Sequence, residues 1–246
     1  MFSKLKTSVA AAAALLCLGS AQAGFITRTI TFEDPINTPN APFAPLFGHG
    51  DEFYQNGFFI DPFSNSATAQ PGDLVGALVN GADVSNTCVT LICPTNNATK
   101  FYTGLDDGLI FLARLDGLNF SIDGFDAAFV GDPVGLNSAV PGRLIMQGVR
   151  ASDGAQLGFV AGNLTSTNFL SYTTSAAGAL RNTAWSAMYI WAQTCPPVGA
   201  CSSFNSDRGQ FALDNLRINV IPEPTSLALV GAALAGLGLA RRRRQA

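Results

Sequence analysis

The chain has 246 residues, with 14 basic and 17 acidic side chains, a single histidine and 48% hydrophobic content. Its charge is unevenly placed: Lys4, Lys6 and Arg241 to Arg244 sit at the ends, so 8 basic residues face all 17 acidic ones between Gly24 and Glu223, a net −9. A surface of that sign repels phosphate backbones and excludes nucleic acid as a partner class.

Lys4 and Lys6 precede an apolar stretch from Val9 to Leu18 and the small-residue run "GSAQAGF". This is the pattern of a secretory signal helix, residues 1–23, cleaved between Ala23 and Gly24. Cys17 leaves with the signal. The mature segment, residues 24–221, is long enough for one sizeable core and is expected to be one domain. Cys88, Cys93, Cys195 and Cys201 remain, an even number in an exported chain, so disulfides are the default. Of three connectivities the local pairs Cys88–Cys93 and Cys195–Cys201 are favoured, each stapling a loop. The competing reading, structural zinc, has only His49 to draw on and no C-x-x-C spacing.

Short apolar runs broken by turn signals such as "NGF", "QPGD", "VNGAD", "LDDG", "IDG" and "SDG" predict strands. In chain order they are Ile26–Phe32, Gly57–Ile60, Leu74–Val79, Lys100–Thr103, Leu109–Leu115, Leu118–Ser121 and Asp126–Val130. Arg143–Val149, Leu157–Val160, Asn168–Tyr172, Trp185–Ala192 and Phe211–Val220 complete the set. No mature segment sustains a helical period for a dozen residues; "SAAGALRNTAWSAM" comes nearest. The expected fold is all-β, a two-sheet β-sandwich of jelly-roll type.

The tail, residues 222–246, reads differently. Leu227 to Ala240 is an apolar run of 14 residues, which as a helix covers ~21 Å of a ~30 Å hydrocarbon core. Four arginines directly after it are a positive-inside signal. Pro222 and Pro224 keep the preceding backbone extended and accessible. "PEPTSLALVGAALAGLGLARRRR" resembles the PEP-CTERM sorting signal of Gram-negative bacteria in its Pro-Glu-Pro motif, short hydrophobic helix and Arg cluster. The resemblance implies processing near Pro222, Glu223 and Pro224 by an exosortase, after passage through the secretion machinery and transient inner-membrane anchoring. It also implies a destination at the cell surface or in the extracellular matrix, in the company of exopolysaccharide and biofilm. A tail that stays anchored is the alternative. "TFEDP", "FSIDGFDAAF" and "GQFALDNLRINVIPEP" are similar, more loosely, to jelly-roll-like ectodomains attached to this signal.

Two constellations invite ligand readings. Taken as a regular strand, "QFALDNLRINV" puts Asp214 on the face of Leu216, Ile218 and Val220, and "ITRTITFED" does the same for Asp34. Glu33, Asp34 and Asp214 would then meet across neighbouring first and last strands and hold a structural calcium. The favoured alternative is a turn at Asp34 and backbone N–H bonds at Asp214. In "WSAMYIWAQ", Trp185, Tyr189 and Trp191 share one parity; facing outward they form an aromatic platform for sugars, facing inward they fill the core. Catalytic signals are weak. His49 in "FGHGDE" reads as a solvated loop histidine, and Asp51-Glu52 and Asp106-Asp107 are adjacent acids or turn chemistry. The expectation is an exported, non-catalytic matrix or surface protein that binds polysaccharide; the alternative is a hydrolase acting on matrix polysaccharide.

Overall fold

The computed structural model describes residues 26–39, 44–88, 92–106, 108–174, 178–204 and 207–220. The signal helix, the cleavage pair Ala23–Gly24, the Pro222–Pro224 motif and the C-terminal apolar segment lie outside them. The strands belong to one compact unit, Thr27–Val220.

The described residues are mostly strand, in a curled antiparallel sheet. In chain order the strands are β1 (Ile26–Ile30), β2 (Leu46–Gly48), β3 (Phe53–Gln55), β4 (Phe58–Ser64), β5 (Leu74–Asn80), β6 (Lys100–Gly104) and β7 (Gly108–Arg114). They continue as β8 (Phe120–Val130), β9 (Gly142–Arg150), β10 (Gln156–Leu164), β11 (Leu170–Thr173), β12 (Trp185–Thr194) and β13 (Gln210–Val220). Two single helical turns, α1 (Val84–Thr87) and α2 (Ala179–Asn182), interrupt them; the second sits in the stretch with the most helical composition.

Pairing falls into two antiparallel ladders. One runs β10-β9-β12-β7-β4-β3. The other runs β2-β5-β6-β13-β8-β11, with β1 beside β13. They join where Trp185 of β12 pairs with Phe120 of β8. Rings meet between the ladders: Phe58 of β4 stands edge-on to Phe120 at 5.6 Å, and Phe47 of β2 lies 4.8 Å from Phe53 of β3. Phe32, Phe47, Phe53, Phe58, Phe120, Phe125, Phe129 and Phe211 are all buried in the core, a large apolar area removed from water.

Local chemistry explains the departures from expectation. The "NGF" signal is realised as a tight hairpin, with Asn56 at φ 51° and Gly57 at φ 83° joining β3 to β4. β4 continues through Asp61-Pro62-Phe63, where the sequence indicates a turn. β3 ends opposite Ile60, so the missing N–H of Pro62 falls on an unpaired edge and costs no ladder bond. β8 likewise runs unbroken through the "IDG" of Ile122–Gly124, because β13 pairs along it from Phe120 to Val130. The cysteines pair locally, Cys88 with Cys93 and Cys195 with Cys201, at Cα separations of 6.3 and 4.1 Å. No helix among the described residues is long and apolar enough to cross a membrane.

Candidate ligand-binding face

The outer face of the β9-β12-β7-β4-β3 ladder gathers aromatic side chains. Ile60 and Pro62 of β4, Ile110 and Leu112 of β7, and Met188 and Ile190 of β12 are buried. Strand alternation therefore turns Phe59, Asp61, Phe63, Phe111, Tyr189 and Trp191 outward, and all six are half-buried. Register aligns them: Asp61 stands opposite Phe111, Phe111 opposite Tyr189, and Tyr189 opposite Gln147 of β9.

A pocket of about 410 Å³ opens in this face, lined by His49, Gly50, Asp61, Phe63, Phe111 and Tyr189. Its rings are mutually inclined: Phe111 and Tyr189 are 5.1 Å apart at 55°, Phe63 and Tyr189 6.2 Å apart at 75°. The turn after β2 supplies His49. Asp51 holds that turn by accepting the Gly48 N–H at 2.7 Å, and His49 Nδ1 accepts the Ser64 N–H at 3.2 Å. Burial, then the Glu52 carboxylate, push the Asp61 pKa above its ordinary value, while His49 acts in the opposite direction. Glu52 itself accepts the Tyr54 hydroxyl. Beside the pocket, Trp191 donates its indole N–H to Ser203 Oγ at 2.8 Å and lies 5.9 Å from Phe204.

Trp185 is not part of this face. The β12 register slips between Trp185 and Ala187, so the parity that would place Trp185 with Tyr189 and Trp191 is broken. Its ring is fully buried, its N–H donates to the Leu180 carbonyl at 3.0 Å, and it packs against Phe159 at 5.8 Å. Gly148 makes room: a Cβ there would lie 2.3 Å from the Trp185 ring.

The three acids of the calcium reading are distributed otherwise, and Asp214 accepts a backbone N–H as the favoured alternative has it. Asn215 at φ 47° bulges β13, and the apolar core set changes parity from Phe211 and Leu213 to Leu216, Ile218 and Val220. Asp214 therefore belongs to the opposite face, with Ala212, under the segment after α1. There it accepts from Asn97 Nδ2 at 2.7 Å, Thr99 Oγ1 at 3.1 Å and the Asn215 N–H at 2.7 Å. Glu33 Oε1 accepts the Lys100 N–H at 2.9 Å, and Asp34 is exposed. Glu33 and Asp34 line another pocket, of about 320 Å³, which also contains Lys100. Among the described residues no group of three or more His, Cys, Asp or Glu side chains is placed to hold a metal ion.

Sequence reasoning missed His49, Asp61, Phe63 and Phe111 as a group. The alternation "FFIDPF" carries the signal for three outward side chains on β4, but the Asp-Pro pair reads as a turn.

Comparison with known proteins bears mainly on the tail. Residues 220–244 match the PEP-CTERM protein-sorting motif. The chain thus carries this motif, which implies an exported protein processed by an exosortase, and the two disulfides fit export. No curated protein matches the sequence. Among solved structures, the chain is similar to a DUF4465 family protein from Bacteroides ovatus at 8% identity and a TM-score of 0.39, over 78% of this chain and 99% of that one. It is also similar to the CBM22-1–GH10 modules of a Clostridium thermocellum endo-1,4-β-D-xylanase complexed with xylohexaose, at 10% identity and a TM-score of 0.37. That match covers 79% of this chain and 28% of the xylanase chain.

Proposed function

We propose that this exported protein acts without catalysis at the cell surface or in the extracellular matrix, where its β domain, a jelly-roll-like sandwich, binds polysaccharide. The observation that carries the reading is the inclined aromatic group Phe63, Phe111 and Tyr189 around one carboxylate, Asp61, in an open pocket. Rings supply apolar faces for sugar C–H groups, and a carboxylate accepts hydroxyl protons, the combination of apolar walls and few polar groups found in small-molecule sites. Trp191 extends the surface to a second ring cluster with Phe204. Processing at the sorting motif releases the domain beside the exopolysaccharide it binds.

The test is depletion of the processed protein from solution by matrix polysaccharide of its own host. Saturable depletion that falls at least about tenfold in Phe111→Ala, a loss of ~1.4 kcal/mol, supports the reading. No depletion by the unaltered protein overturns it.

One observation favours a hydrolase as the second reading: burial, then the Glu52 carboxylate, raise the pKa of Asp61 in the aromatic pocket. A glycosidase needs such a pair, one acid kept protonated. Release of reducing ends from the same polysaccharide, lost in both Glu52→Gln and Asp61→Asn, would move the assignment there.

A further inference from the structure

The aromatic pocket has a feature that a site for neutral sugars does not require. Asp61 is half-buried, and among the described residues its carboxylate takes part in no hydrogen bond and no salt bridge, with His49 the one basic group that acts on it. Seven of the domain's eight cations are engaged elsewhere, and the eighth, Arg143 of β9, stands opposite Gln193, four residues along β9 from the Gln147 that faces Tyr189. Arg114, Arg150, Arg181 and Arg217 pair with Asp116, Asp153, Asp123 and Asp126. Arg28, Arg208 and Lys100 donate to backbone carbonyls. His49 and Tyr189 also line the pocket, and His49 Nδ1 accepts the Ser64 N–H. A carboxylate withdrawn from water without a partner is unfavourable, and such a group persists where a ligand completes it.

The walls point to the sign of that ligand. Three ring systems, Phe63, Phe111 and Tyr189, line one pocket with Asp61, Tyr189 inclined steeply to the other two, a concave cage instead of a flat stacking platform. Aromatic faces carry negative potential and attract ammonium groups, more so where water is thinned out. The domain as a whole agrees: between Gly24 and Glu223 the chain carries 8 basic and 17 acidic residues. A field of that sign draws in cationic polymers and turns away acidic ones.

The geometry points to a polysaccharide bearing free amino groups as the ligand of this pocket, with a protonated amino sugar seated in the Phe63–Phe111–Tyr189 cage and its ammonium paired with Asp61. This rests on the polysaccharide-binding reading and narrows it to one chemical class. Gly50, whose Cβ position has nothing within 4 Å, leaves the mouth open for a chain to continue on either side of the seated sugar.

The experiment titrates the processed protein with three hexasaccharides of the same β-1,4 linkage: the free-amine glucosamine, the N-acetylglucosamine and the glucose oligomers. It is done by calorimetry at about pH 6 and low salt. The expected result is at least about tenfold tighter binding of the free-amine hexamer than of either neutral one, the scale of a partly desolvated cation–π contact joined to an ion pair. Asp61→Asn should erase that preference, bringing the free-amine hexamer to the affinity of the neutral ones, and Phe111→Ala should weaken all three. Asp34→Asn, which removes a remote exposed charge, should leave the preference intact. Equal or tighter binding of a neutral hexamer overturns the amino-sugar assignment and leaves polysaccharide binding standing. A preference that survives Asp61→Asn, or falls equally in Asp34→Asn, also overturns it, since general charge attraction would then be the cause. Failure of every hexamer and of matrix polysaccharide overturns both readings.

Discussion

The two ladders treat an acid on their outer faces in opposite ways. On the β13–β8 side Asp214 is covered: the segment after α1 folds over it, and Asn97, Thr99 and the Asn215 backbone all donate to its oxygens. The Cys88–Cys93 disulfide closes that segment, and Cys93 packs into the small cluster of Val79, Phe101, Ala128, Val130 and Ala212 beneath it. On the β4–β7–β12 side Asp61 has aromatic neighbours and no donor among the described residues. Burial pushes both carboxyl groups above their ordinary pKa, but at Asp214 the hydrogen bonds work against it. A chain that can cover a carboxylate with its own amides, and does so on one face, leaves the other for something outside the chain. Covered acid means structure; uncovered acid among rings means ligand.

The sharpest way to break that division is to exchange a ring between the two roles. Trp185 and Trp191 lie six positions apart on β12, one sealed in the core and one on the open face. Trp185→Ala should cost about 3–5 kcal/mol of stability, the range for removing a large buried aromatic, and Trp191→Ala much less. Binding should respond in reverse, with Trp191→Ala weakening polysaccharide affinity in a protein that still melts near the wild-type temperature. Thermal melts and depletion assays on the two variants read both columns. Equal destabilisation would remove the distinction between core and face on this strand.

A smaller effect tests the covered acid. Asp214→Ala takes the acceptor from Asn97 Nδ2 and the Asn215 N–H in a part-buried place and should cost about 1.5–3 kcal/mol. It should not alter polysaccharide affinity at temperatures where the protein is folded. Chemical denaturation checks the first expectation and depletion the second.

How these residues are sorted between core and face is only partly legible in the sequence. Turn residues at spacings of about ten reveal nearly every strand, since Gly, Asn and Asp punctuation is local chemistry; β2 and β3, three residues each, are too short to show a pattern. The disulfides are legible because a short loop needs little else to close. What alternation cannot reveal is a change of parity. The register slip after Trp185 and the Asn215 bulge each reverse the face of everything on one side, and both depend on partners far along the chain: Arg150 and Val149 for the first, Gly124 and Asp126 for the second. That is why Trp185 and Asp214 are placed wrongly by pattern, while Tyr189 and Trp191, beyond the slip, fall where one reading of the pattern puts them. The pocket adds a second obstacle. Its residues come from four segments, and the Asp61-Pro62 pair imitates a turn unless the length of β3 is known.

The least conspicuous effect is also the most specific to the open face. A carboxyl whose pKa is raised on folding holds its proton more tightly in the folded state, so rising pH withdraws stability as it passes from the unfolded value, 3.8, through the folded one. Asp61 is therefore destabilising at neutral pH and close to neutral in its effect below about pH 4. Asp61→Asn should then raise the melting temperature slightly at pH 7, with the gain shrinking toward zero as the medium is acidified to about pH 4. Asp214 is raised too, but there the substitution weakens acceptors for Asn97, Thr99 and Asn215, so Asp214→Asn should show no such gain. The pair of melting curves separates a carboxylate that the fold needs from one that the fold merely tolerates. Were Asp61→Asn destabilising at pH 7, the side chain would be contributing to the fold through a partner of its own, and the uncovered acid would lose its standing as a ligand group.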